Sequence, residues 1–197
     1  YGIGYASEKL DYRFNPRKGY SIELTGSVGK KKINKNTKVN EELYDSLDLS
    51  STQYKVELTF DYYVPLGKLH VLDFGVIAAL LEAEDIFDNE LYRFGGLKTL
   101  RGFDEEILRA SKFTIWKIEY RYLLEQNSFL FLFVNGAFYK SESRNLQVED
   151  DPIGFGAGIN FETKLGIFSF NYALGKEFNN PFIFRTAKLH FGIVNYF

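Results

Sequence analysis

The sequence predicts an all-β chain, and three observations carry that prediction. Apolar and polar residues alternate with period two in segment after segment. Val, Ile, Tyr and Phe, the residues that suit a pleated surface, fill the apolar positions. No long segment shows a helical period. The segments run to ~10 residues or more, the length a tilted strand needs to cross a bilayer. The fold class is therefore a transmembrane antiparallel β-barrel. A soluble β-sandwich, which also alternates, is the competing architecture.

Strands are predicted at about 1–14, 19–32, 52–65, 69–82, 113–124, 129–140, 153–163, 166–176 and 185–197. In "YSIELTGSV", Tyr20, Ile22, Leu24 and Val28 share one face, and Ser21, Glu23, Thr25 and Ser27 the other. In "YKVELTFDYYV", Tyr54, Val56, Leu58, Phe60, Tyr62 and Val64 alternate with Lys55, Glu57, Thr59 and Asp61. "TIWKIEYRY" sets Trp116, Ile118, Tyr120 and Tyr122 against Lys117, Glu119 and Arg121. "AKLHFGIVNYF" sets Leu189, Phe191, Ile193 and Phe197 against Lys188, His190 and Gly192. In a barrel the apolar set meets lipid and the charged set lines the lumen.

The connections alternate in length. Tight turns are expected at 15–19, 65–69, 125–128 and 163–166, where Gly, Pro and Asn supply turn conformations. Long polar loops are expected at 33–51, 83–112, 141–152 and 177–184, and "GKKKINKNTK" at 29–38 opens the first of these. Short turns on one side and long loops on the other are the habit of outer-membrane barrels. Aromatics gather at strand ends as an interfacial girdle would: Tyr12 and Phe14, Tyr62 and Tyr63, Tyr120 and Tyr122, Tyr196 and Phe197. With the short turns periplasmic, the last strand runs down into the periplasm and so does the first. An odd count of about nine strands follows, where a closed bacterial barrel has an even one. The chain is expected to be the C-terminal part of a larger barrel of about 16 strands, with residues 1–197 as one unit.

Composition narrows the function classes. The 197 residues suit one domain, and a net charge of -2 gives no basic footprint for nucleic acid. There is no Cys, which removes disulfides, thiolate nucleophiles and cysteine metal sites from these residues. No apolar run reaches the roughly 18 residues of a membrane helix. There is no Met, even at position 1, and Tyr1 opens in mid-strand, so the chain reads as a piece of a longer one.

One stretch departs from the alternation. "YRFGGLKTLRGFDEE", 92–106, carries a glycine pair, Arg101 beside Gly102, one further aromatic and a run of three acids. "GGLKTLRGFDEE" resembles the long-loop signature of the BamA/TamA superfamily of outer-membrane assembly and translocation barrels, an Arg-Gly-aromatic step after a Gly pair. "DYRFNPRKG" at 11–19 is similar to that family's Asp…Asn-Pro-x-x-Gly element. "FLFVNGAFY" at 131–139 sits where the family has a Phe-x-Asp-x-Gly strand, and "HFGIVNYF" resembles its terminal strand. The match keeps the family's order over nearly the whole chain.

The resemblance implies a loop, about 83–112, that folds into the lumen so that its Arg meets acids on the inner wall. Gly95, Gly96, Arg101, Gly102 and Phe103 form the loop motif, and Glu119 and Asn135 are its wall partners. Asn135 stands where the family has an acid, so a charge-assisted bond is lost there, and Gly136 and Ala137 look exchanged against the family's order. Arg101 is then expected to lean on Glu119 alone; a solvated loop cation is the alternative. Gly154, Gly156 and Gly158 share an inward face that leaves room for the loop, and "GFGAG" lacks the spacing of a dinucleotide fingerprint. His190, Gly192, Tyr196 and Phe197 are the expected residues of the lateral seam and C-terminal signal.

Other chemistry is thin. The only histidines, His70 and His190, read as wall residues and not as members of a hydrolase. "DIFDNE" and "VEDD" read as solvated acidic loops, with no metal site expected. The function expected is a non-enzymatic barrel of the bacterial outer membrane that inserts or translocates proteins through a seam at its last strand, without a cofactor. Its partners would be membrane lipid, unfolded outer-membrane or secreted clients and periplasmic accessory subunits, with no nucleic acid. A passive channel, or the barrel of an enzyme whose catalytic domain lies upstream, are the alternatives.

Overall fold

The computed structural model describes residues 1–35 and 48–194. Twelve strands follow in order: β1 (Gly2–Leu10), β2 (Gly19–Lys32), β3 (Ser50–Pro65), β4 (His70–Glu82), β5 (Tyr92–Phe94), β6 (Leu108–Ala110), β7 (Lys112–Leu123), β8 (Phe129–Glu142), β9 (Gln147–Asp150), β10 (Ile153–Thr163), β11 (Gly166–Lys176) and β12 (Lys188–Val194). One antiparallel sheet runs β1-β2-β3-β4-β7-β8-β10-β11-β12, and β5 and β6 form a separate hairpin. That path has nine strands, and among the described residues no ladder joins β1 to β12. The sheet is open, as the downward course of the first strand required.

The tight turns have local causes. Between β1 and β2 the Asp11 carboxylate accepts from the backbone N–H groups of Arg17 (2.9 Å) and Lys18 (3.1 Å). Between β7 and β8 the N–H groups of Leu124 and Glu125 both bond the Ser128 carbonyl. Between β10 and β11 the Thr163 hydroxyl donates to the Gly166 carbonyl at 3.1 Å.

The alternation sorts the two faces. Tyr54, Val56, Tyr62, Ile118, Leu132, Phe138, Phe170 and Phe191 are exposed on the outer face. Trp116 lies flat over Gly136 on that face, where any Cβ would come within 2.6 Å of the indole. The inner face holds the 83–111 segment. Phe94, Leu100, Phe103 and Leu108 from that segment pack with Ile115 of β7 and Ala137 and Tyr139 of β8. Burying each large side chain contributes about 1.5–3 kcal/mol, so the segment is held by packing before any polar contact is counted.

Several expected boundaries shift. β1 ends at Leu10 instead of 14, because Asp11 turns the chain early. Half of the 141–152 loop is strand, the end of β8 and all of β9. Gly136 faces Ile153 and Tyr139 faces Asp150, so β9 and β10 keep one register on β8 and are broken only at Asp151-Pro152, where Pro lacks an N–H. The last strand starts at Lys188, after a 3-10 turn at Phe184–Thr186. Tyr63 leaves the expected girdle: it faces inward, 5.4 Å from the Arg121 guanidinium carbon. Most of the 33–51 loop, part of "GKKKINKNTK", and Asn195, Tyr196 and Phe197 lie outside the described residues.

Candidate functional site

The inner loop is presented by the β5–β6 hairpin, in which Tyr92 opposes Ala110 and Phe94 opposes Leu108. The Tyr92 hydroxyl donates to Glu57 at 2.9 Å and ties the hairpin to β3. Burial, then the bond to Glu57, pushes that hydroxyl's pKa up and keeps it a donor. Gly95 and Gly96 form the tight turn above the tip: the Gly95 N–H bonds the Thr99 hydroxyl (2.8 Å) and the Gly96 N–H the Leu100 carbonyl (3.0 Å). The Glu105 carboxylate closes the turn from the other side by accepting from the Leu97 N–H at 2.8 Å.

Arg101 emerges from this turn into the wall. Its Nη1 donates to Glu119 Oε2 at 2.5 Å, with side-chain exposures of 10% and 6%. The guanidinium carbon stands 3.6 Å from the Phe133 ring centroid and 5.6 Å from that of Phe131, within cation–π reach. Those rings fit because the strand beside them carries glycine: a Cβ at Gly156 would meet Phe133 and one at Gly158 would meet Phe131. Only Gly154 of the three glycines expected to clear the loop faces it, opposite the Arg101 carbonyl.

Asn135 bonds the loop, but not in the expected sense. Its Nδ2 donates to the backbone carbonyl of Arg101 at 3.1 Å. The bond needs a donor at this position, which a carboxylate is not.

Glu119 also accepts from Arg121 Nε at 2.8 Å, and Arg121 reaches Asp73 at 2.6 Å and Asn15 Oδ1 at 3.1 Å. Lys117 joins Asp73 (3.1 Å) to Asp61 (2.9 Å). Three cations, Arg101, Lys117 and Arg121, thus face three carboxylates, Asp61, Asp73 and Glu119. Buried charges of this kind persist only when each is paired and hydrogen-bonded. Gly75 clears the path of Lys117, whose side chain would collide with any Cβ there.

Asp73 and Asn15 are the members that sequence reasoning missed. A signal for Asp73 existed: one acid in the apolar run "VLDFGVIAALL". Asn15 read only as a turn residue, yet it is 1% exposed, donates to the Gln126 carbonyl at 2.8 Å and links two tight turns to the network.

The loop has a second seat, on β12. Gly102 has φ +100, and a Cβ there would lie 2.9 Å from the Leu174 carbonyl and the Gly175 nitrogen. Only glycine tolerates both the conformation and the approach. Its N–H donates to His190 Nε2 at 3.2 Å, which fixes Nε2 as the unprotonated nitrogen. Asp104 pairs with Lys188 at 2.7 Å, Leu97 packs over Gly192, and Phe103 lies against Gly175. His190 and Gly192 therefore touch the loop. His70 lies instead between Tyr120 and Tyr122, bonded to the Tyr120 hydroxyl at 2.6 Å. Among the described residues no cluster of three or more metal-ligating side chains occurs.

An antiparallel wall, apolar outside and threaded inside by a long loop that a buried Arg–Glu pair holds, defines a transmembrane barrel that carries its own plug. The family model of the Omp85 superfamily domain matches residues 1–197, and the chain belongs to that superfamily. No curated protein matches it. The superfamily comprises bacterial outer-membrane barrels that insert or translocate proteins, handle protein clients and associate with accessory subunits.

Proposed function

We propose that this chain is the C-terminal part of a barrel that admits client strands at a lateral seam along β12. One observation carries the reading: the inner loop is seated at once on β7, through Arg101 and Glu119, and on β12, through His190 and Lys188. β12 is short, pairs with β11 alone among the described residues, and offers the other edge's donors and acceptors to an incoming strand. The work is physical, strand pairing and release, and requires no covalent step. A passive channel would need the lumen that Phe94, Leu100 and Phe103 occupy.

The test is site-specific photocrosslinking in the intact protein. A photoreactive residue at Ile193 or Val194 is expected to give adducts with an unfolded outer-membrane client during its insertion into vesicles. The same residue at Leu58, in mid-wall on β3, should give none. Equal labelling from both positions would remove the seam from the mechanism.

A further inference from the structure

We propose that residues 177–187, the connection from β11 to β12, form a flap that lies in the lipid leaflet facing the long loops. The sequence predicts a long polar loop at 177–184 and a strand from 185, and the segment "EFNNPFIFRTA" instead carries a run of exposed apolar side chains before β12 starts at Lys188. Phe182, Ile183 and Phe184 are consecutive and exposed, Phe184 at 76%, with Phe178 exposed nearby. Contiguous apolar surface of this kind marks a contact site.

The placement says what the contact is. The Phe182 ring packs edge-on against Phe155 of β10, with centroids 5.0 Å apart. Phe155 is an outer-face residue and stands opposite Leu174 of β11. Leu174 points outward as well, yet it is only 4% exposed, whereas Tyr172 and Phe170 further along the same face are half-exposed. The Phe184–Thr186 turn touches β11. The flap thus covers the outer wall at its long-loop end. It sits at the end of the outer face on which Tyr172 and its partner Leu189 are exposed, and beyond them Phe168, Phe170 and Phe191, whose ring centroids approach within 5.9 Å across β11 and β12. A surface continuous with the lipid-facing belt has lipid as its occupant.

The rest of the segment suits the depth at which acyl chains meet headgroups. Part of its backbone is satisfied locally, by bonds from Asn180 N–H to the Glu177 carbonyl, Thr186 N–H to Ile183 and Ala187 N–H to Phe184, and the Phe178 N–H bonds the Asp150 carboxylate. Backbone paired within the segment tolerates a dry boundary. Lys176, 5.5 Å from the Phe182 centroid, and exposed Arg185 supply cations at the level of anionic headgroups, the pairing that interfacial segments use. Because β12 begins directly after the flap, lipid holds the long-loop end of the seam strand from outside while His190 and Lys188 hold it from inside.

The inference rests on the barrel standing in a bilayer, and one experiment reports on both. The intact protein is reconstituted in phosphatidylcholine vesicles with bromine on the acyl chains near the ester end. The emission added by Phe184→Trp is measured by difference, with Ile183→Trp as a second position. Trp116, the only Trp of these residues, is measured by its loss in Trp116→Phe and reports the wall. The expected result is blue-shifted emission from the introduced indoles, quenched by brominated lipid to the same degree as Trp116 within about twofold, and indifferent to aqueous iodide. Quenching by iodide alone would overturn the flap, and so would blue emission that neither agent quenches, which means burial against protein. If Trp116 itself escapes the brominated lipid, the bilayer placement fails and the flap with it.

Discussion

At the scale of single residues, Arg101 and Glu119 carry most of what can be tested. Both are buried, so removing Glu119 strands the Arg101 charge, which costs about 3–5 kcal/mol, whereas removing Arg101 leaves Glu119 paired with Arg121. An exposed pair would be worth only about 0–1 kcal/mol. Glu119→Gln should lower barrel stability by an amount in the first range, and Arg101→Ala by less, because Arg121 still pairs with Glu119. The double variant should lose much less than the sum, because the two act as a unit; denaturant unfolding in lipid or detergent reads this directly, and additive small losses would show a solvated pair. Asn135→Asp makes a sharper test. It replaces the donor that holds the Arg101 carbonyl by an acceptor, and should cost about 1–3 kcal/mol. Unchanged or raised stability would mean that the new carboxylate had captured the guanidinium. These roles differ in how far the sequence betrays them. Arg101 stood out because glycine flanks it, and Glu119 because its strand alternates cleanly. Asn135 looked like a weakened acid, since its sequence neighbours cannot show that a backbone carbonyl lies opposite. Asn15 and Asp73 enter the network from remote turns and strands, a placement that only the sheet order supplies.

At the scale of elements, the loop and β12 form one mechanical unit with two kinds of fastening. The Asp104–Lys188 pair is partly exposed, so Lys188→Ala should cost no more than about 1 kcal/mol. Gly102→Ala must fit a Cβ against the β11 backbone at a positive φ, a strain on the order of 1–3 kcal/mol. It should also part the amide from His190. Amide hydrogen exchange in β12 is expected to quicken strongly in Gly102→Ala, hardly in Lys188→Ala, and not at all in β2 or β3 of either variant. Equal protection of β12 in both variants would mean that the loop does not hold that strand. Strands with one wet and one lipid face were legible, because polar and apolar residues must alternate there: β2, β3 and β7 fall within two residues of their predicted bounds. β8 gave no such pattern. Phe131 and Phe133 face the loop while Leu130 and Leu132 face outward, so both sides are apolar. The loop expected at 177–184 is a loop, but its Asn and Glu residues suggest water and gave no sign that Phe182 packs on Phe155 of the wall.

For the whole molecule, the decisive property is that the open sheet is plugged by its own loop, and the charge count inside it makes the plug testable. Asp61, Asp73 and Glu119 are balanced by Lys117, Arg121 and the loop's Arg101. Deleting residues 95–106 removes the apolar tip together with two cations, Lys98 and Arg101, and three acids, Asp104, Glu105 and Glu106. The lumen should then conduct, because Leu100 and Phe103 no longer fill it. Removing Arg101 alone leaves three carboxylates of the network facing two cations, and Glu8 and Glu23 also lie on the inner face of β1 and β2. A ring or wall of acids is how a pore selects cations. In planar bilayers the intact protein is expected to conduct weakly, and the deletion to raise conductance several-fold. Arg101→Ala in an otherwise complete loop should shift the reversal potential toward the cation without the large conductance, because the apolar tip stays seated on Ile115, Ala137 and Tyr139. If instead the single substitution opened the pore as widely as the deletion, the ion pair and not the packing would be what holds the loop in place. An unaltered conductance after deletion would mean that the lumen is blocked by something other than this loop.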